Sequence, residues 1–201
     1  MKKQLSTFLI ALMAMVLLPM QSWGAEPDYS SQDWGSADFS NVVTTHGNFA
    51  ISAGDTEWGG NLSGKCYIQL GTSSTTYNSD FLGVSSTTTS IDSIAVFWAP
   101  NGTSATNIAW IGWKKDVTPS NDIDDYGTTA EYTASKSYDK ATWQVINLTG
   151  KNLYAVHMSR QFKTSIKKDD TTLPNLGKGN TINVLGIKVW MKPIPTCTSF
   201  A

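Results

Sequence analysis

Apolar and polar positions alternate with a period of two over much of this chain, and short polar or glycine-rich breaks separate the alternating runs. In Lys65-Cys66-Tyr67-Ile68-Gln69-Leu70 the alternation is strict, which predicts a half-buried strand. Ile91 to Trp98 is a strand closed by Ala99-Pro100-Asn101-Gly102, and Asn107 to Lys115 is another, ended by Pro119-Ser120-Asn121-Asp122. Shorter runs follow: Thr128 to Thr133, then Thr142 to Leu148 before the turn Thr149-Gly150-Lys151-Asn152, then Leu153 to Phe162. In the last run, Thr181 to Met191, alternation places Leu185, Ile187, Val189 and Met191 on one face and Lys188, Trp190 and Lys192 on the other.

Between these runs the chain reads as connection. Ala25 to about Asn48 is a polar lead-in with one short strand. Gly59, Gly60 and Gly64 separate Trp58 from the strand at Lys65, Thr72 to Ser79 is a loop or hairpin tip, and Ser85 to Ser90 is a polar run. No helical period appears after Gly24. The pattern predicts an all-β domain, an antiparallel β-sandwich or jelly roll of at least eight strands in two packed sheets. Ile91 to Trp98 and Asn107 to Trp113 are apolar on both faces, so their outer sides are expected to be covered by a loop, a partner or a ligand.

The one long apolar run is different in kind. Lys2 and Lys3 precede Phe8 to Pro19, and Ser22-Trp23-Gly24 supplies small residues at the −3 and −1 positions of a cleavage site. This is the pattern of a secretory signal peptide cut after Gly24, and the run is too short to span about 30 Å of hydrocarbon as a helix. The expected organisation is a signal peptide at 1–24, one sandwich domain at 25–192 and a proline-containing tail or linker at 193–201. It implies a secreted, periplasmic or cell-surface protein without a transmembrane segment, with room for a further domain or a protein partner after residue 201.

Composition narrows the function. Without Lys2 and Lys3, 13 basic and 16 acidic residues remain, and Arg160 is the single arginine. That balance argues against a nucleic-acid partner, which needs a basic stripe and favours arginine. A domain of this size buries roughly 70% of its unfolded surface and needs no staple. Cys66 alternates with Ile68 and Leu70 as a buried strand residue. A Cys66–Cys197 disulfide would add about 4–5 kcal/mol in the chain-entropy model, yet the alternation favours an unpaired Cys66.

Catalytic signals are weak, and no catalytic residue is assigned. His46 and His157 are the two histidines; His157 alternates with Leu153 and Ala155 as a half-buried strand residue, and there is no nucleophile elbow. Glu26, Glu57 and Glu131 are scattered, without the closely spaced acidic pair of jelly-roll glucanases. Asn121 to Gly127 is rich in hard oxygen donors, so Asp122, Asp124 and Asp125 could hold a structural calcium, although the loop fails the EF-hand pattern. No other cofactor is expected.

Aromatics are the positive signal. Seven tryptophans remain after Gly24: Trp34, Trp58, Trp98, Trp110, Trp113, Trp143 and Trp190. A flat apolar ring with a hydrogen-bonding edge suits stacking on a pyranose. Trp110 and Trp113 differ in strand parity, so one is expected to face away from the core. With Asp122, Asp124 and Tyr126 in the following turn, Arg160 at a strand end with its guanidinium directed to solvent or an acidic partner, and an exposed Trp190, they form the expected ligand-binding set.

Gly64 to Leu70, Asp92 to Trp98 and the closing strand Thr181 to Trp190 together resemble the galactose-binding-like jelly rolls, non-catalytic modules of secreted bacterial polysaccharide-processing proteins. The resemblance implies carbohydrate binding. The alternative reading is a structural or adhesive surface protein whose aromatics meet another protein, and a weaker one is a glycan-cleaving enzyme.

Overall fold

A computed structural model describes residues 25–32, 43–54, 57–62, 65–70, 81–100, 107–119, 123–128, 141–160 and 181–193, with the side chains of 57–62 and 65 left out. The signal-peptide segment 1–24 and the tail from 194 lie outside the described residues. Twelve strands follow in chain order: β1 (Tyr29–Gln32), β2 (Thr45–His46), β3 (Phe49–Ala53), β4 (Glu57–Leu62), β5 (Lys65–Leu70), β6 (Leu82–Ser86), β7 (Ile91–Pro100), β8 (Ile108–Trp113), β9 (Asp125–Thr128), β10 (Thr142–Asn147), β11 (Ala155–Arg160) and β12 (Ile182–Met191). No helix occurs among the described residues.

The strands form two six-stranded antiparallel sheets. The first runs β10-β7-β12-β5-β4, with β1 also paired to β12; the second runs β2-β3-β6-β11-β8-β9. From β7 onward the chain crosses repeatedly between the sheets, which gives the expected two-layer sandwich.

Alternation builds the core between the layers. Ile94, Val96, Trp98, Ile182, Val184, Ile187 and Val189 of the first sheet meet Leu82, Val84, Ile108, Trp110, Val156 and Met158 of the second in one buried cluster. Both central strands with two apolar faces are covered outside as well. Ile123 closes over Ala109, Ile111, Trp113 and Ala155 outside the second sheet, which is cover by a loop residue. Outside the first sheet, Tyr67, Phe97, Ala99 and Leu185 form a separate cluster with Ala141 and Trp143 packed on it.

Several expectations change. Leu185 does not share a face with Ile187: an irregularity between Val184 and Gly186 turns it onto the outer face. Gly186 is needed there because β1 approaches closely, and a Cβ would lie 2.6 Å from the Ser31 carbonyl oxygen. The glycine-rich stretch at 57–62 is strand β4, and Ser85 and Ser86 belong to strand β6, because ladder pairing overrides their turn-like composition. Asp125–Thr128 is a strand paired to β8, so half of the acidic turn is paired backbone; beyond Thr128 the run expected to reach Thr133 lies outside the described residues. The turn at Thr149 to Asn152 is as expected, with Gly150 (φ 79°) and Asn152 (φ 55°) in the left-handed region.

Candidate functional site

Trp110 and Trp113 do point to opposite faces, but neither faces solvent. Trp110 (6% exposed) sits in the inter-sheet core, and Trp113 (0%) is sealed under Ile123. The expectation of an exposed tryptophan on β8 is corrected: parity fixes which face a side chain takes, not whether another segment covers it. Arg160 lies on the face opposite His157, yet it is 2% exposed, so its guanidinium does not reach solvent. It shares parity with Val156 and Met158, which direct it toward the sandwich interior.

The acidic segment is structural in its observed contacts. Asp124 Oδ2 accepts the Lys114 backbone N–H at 2.7 Å, and Asp125 Oδ2 pairs with Lys151 Nζ at 2.7 Å. Lys151 Nζ also lies 5.4 Å from the Trp110 ring centroid, and its backbone carbonyl accepts a hydrogen bond from Lys114 Nζ. Asp122 lies outside the described residues. Among the described residues, no group of three or more His, Cys, Asp or Glu side chains could hold a metal ion. Tyr126 is 48% exposed, one of two large exposed hydrophobics among the described residues. Trp190 is half-buried rather than exposed, and its Nε1–H donates to the Ala25 carbonyl at 2.9 Å. Met191 N–H donates to Asp28 Oδ2 at 2.7 Å, so the segment that follows Gly24 is tied to the end of β12. Cys66 is a free thiol.

The strands instead bring a different aromatic group together, outside the first sheet. Trp143 of β10 is directly opposite Phe97 of β7, and their rings stack with centroids 5.2 Å apart and 29° between planes. Leu185 continues the group across β12, and Tyr67 closes it on β5. Lys188 Nζ lies 4.8 Å from the Trp143 ring centroid, close enough for cation–π attraction. Trp143 and Lys188 are half-buried, whereas Tyr67 and Phe97 are 9% exposed. Beside them, Asn183 is directly opposite Ala99 on one side and Gln69 on the other. The result is an apolar aromatic patch with Lys188 and Gln69 half-buried beside it and Asn183 fully buried within it. Tyr67, Phe97, Gln69 and Asn183 were missed as site residues because each reads from sequence as ordinary strand; the available signal was their outward parity beside Trp143.

A concavity lies outside the other sheet. It is an open groove of about 740 Å³, lined by Ala50, Ser85 and Ala155 from three adjacent strands and by residues of the loop after β8. Tyr154 also borders it. Along the same outer face, His157 stacks on Phe81 (centroids 3.7 Å apart, planes 3°) and meets the Trp113 ring edge-on at 4.9 Å. Burial pushes the His157 pKa down to about 4, so the imidazole is neutral at pH 7. Ala50, Ser85 and Ala155 are small, and His157 acts beside the groove as a packing ring between Phe81 and Trp113.

No protein-family model and no curated protein matches this chain. Among solved structures, it is similar to a xylan-binding module, CBM86, from Roseburia intestinalis, at 10% identity and a TM-score of 0.36, covering 73% of this chain and 91% of that one. It is also similar to two structures from Paenibacillus barcinonensis Xyn10C. The CBM22-1-CBM22-2 tandem domain matches at 12% identity and a TM-score of 0.46, covering 89% of this chain and 52% of that one. The CBM22-2 xylan-binding domain matches at 12% identity and a TM-score of 0.42, covering 82% and 99%.

Proposed function

We propose that this chain is a secreted, non-catalytic carbohydrate-binding domain that holds a polysaccharide against the aromatic patch outside its first sheet. The observation that carries the reading is the Trp143–Phe97 stack with Tyr67 nearby, on a sheet face whose border is polar. Aromatic faces supply the apolar contact for C–H surfaces of sugar rings, and amide and ammonium groups at their edge fix hydroxyl orientation. Lys188 and Gln69 supply polar groups beside the rings, and Asn183 lies buried among them. The signal-peptide pattern before Ala25 supports export. The packing role of His157 removes the more buried of the two histidines as a general base.

The second-sheet groove is the weaker surface for this ligand, since its floor is alanine and serine rather than an aromatic face. The test is affinity electrophoresis of residues 25–201 in gels cast with soluble xylan, mixed-linkage β-glucan, galactomannan or pectin. Retardation in at least one gel that is lost in Trp143→Ala supports the reading. Unretarded migration in every gel contradicts it.

A further inference from the structure

Within the aromatic patch one group is out of character. Asn183 is 0% exposed, and neither its Oδ1 nor its Nδ2 has a hydrogen-bond partner. A buried amide with neither end bonded to a protein group calls for a specific explanation. Its position supplies one. Ile182 and Val184 on either side point into the inter-sheet core, so alternation sends Asn183 to the outer face. That face holds Tyr67, Phe97, Ala99 and Leu185, and Ala99, directly opposite, contributes a single methyl.

We infer that Asn183 is the specificity-determining residue of the patch and reads a pair of adjacent hydroxyls on a neutral pyranose ring. This rests on the carbohydrate reading above and names the chemistry of that same site. A carboxamide presents one acceptor and two donors side by side in a plane. A vicinal diol answers it in kind, one hydroxyl donating to Oδ1 and its neighbour accepting from Nδ2. Set among rings that contact the C–H face of the sugar, the amide fixes which hydroxyls meet the sheet. A site built to hydrogen-bond a hydroxyl rejects analogues that lack it, because its polar group is then left unpaired. Because Asn183 is 0% exposed, contact requires the groups that cover it to part; its cross-strand neighbour on β5, Gln69, is half-buried.

The experiment compares Asn183→Leu, Asn183→Ala and Trp143→Ala with the unmodified chain (residues 25–201). It reads the melting temperature and the retardation constant on whichever of the four polysaccharides retards the unmodified chain most. Leucine removes the unpaired amide at similar volume, so Asn183→Leu is expected to melt at or above the unmodified temperature while its affinity falls tenfold or more. Asn183→Ala, which adds no bulk, is expected to lose affinity to the same degree. Affinity within twofold of the unmodified chain in either folded variant overturns the inference. If Trp143→Ala still abolishes retardation in that case, the carbohydrate reading stands without it. An unmodified chain that none of the four gels retards overturns both.

Discussion

Acidification should destabilise this protein through one buried side chain. His157 is 9% exposed, stacked on Phe81 and edged by Trp113, and Gly83 opposite it leaves no room for expansion, since a Cβ there would lie 2.9 Å from His157 Cδ2. Its folded pKa is about 4 against 6.5 for the free side chain. A depressed pKa on a base means that the unfolded chain takes up the proton first. Stability is therefore full above about pH 7, declines as pH falls below 6.5, and stops declining on this account below about 4. At about 1.4 kcal/mol per pH unit, the full loss approaches ~3 kcal/mol, of which about 2 kcal/mol is reached by pH 5. For a domain of this size that is a fall in melting temperature of about 4–8 °C. Carboxylates also titrate in this range, so the assay is differential. Urea unfolding from pH 8 to pH 4 is compared between the unmodified chain and His157→Phe or His157→Asn, neither of which titrates. The variants differ in absolute stability, and the slope between pH 6.5 and 4 carries the answer. Parallel slopes in all three proteins would refute the reasoning.

Gly186→Ala should cost about 1–3 kcal/mol by denaturant unfolding, because the new Cβ meets the Ser31 backbone rather than a yielding side chain. Trp113→Ala should cost about 3–5 kcal/mol while leaving retardation in any polysaccharide gel unchanged once the variant is folded, since the ring is sealed under Ile123. Asp125→Asn should change stability by no more than about 1 kcal/mol, because its partner Lys151 is 36% exposed and the pair is screened by water. A loss several times larger, measured by thermal unfolding, would mean that the Lys151–Trp110 contact depends on this ion pair.

The sequence carries the architecture because alternation with a period of two is a direct image of a strand, as at Lys65–Leu70, and a short apolar run bounded by turn signals is the image of one covered on both faces, as at Ile91–Pro100. It loses detail where pairing rather than composition makes the strand. The glycines of β4 and the serines of β6 look like turns, but the ladder supplies what their side chains do not. The irregularity before Gly186 is equally hidden, and it moves Leu185 from the core to the outer patch. The candidate site shows the same division. Parity separated Trp110 from Trp113, but the covering by Ile123 depends on a chain segment ten residues later folding back. The Trp143–Phe97 stack joins residues 46 positions apart, so only the antiparallel register of β10 and β7 brings it into view.

The central claim is that the patch outside the first sheet, and not the tryptophans of β8, holds a glycan. Its most direct measurement is the migration of Trp143→Ala beside the unmodified chain in a gel cast with the polysaccharide that retards the unmodified chain most. At a hot-spot contribution of about 2 kcal/mol, the variant should lose roughly thirtyfold in affinity and run as it does in a gel without polysaccharide. Equal retardation of the two proteins, with Trp143→Ala folded by circular dichroism, would contradict the account.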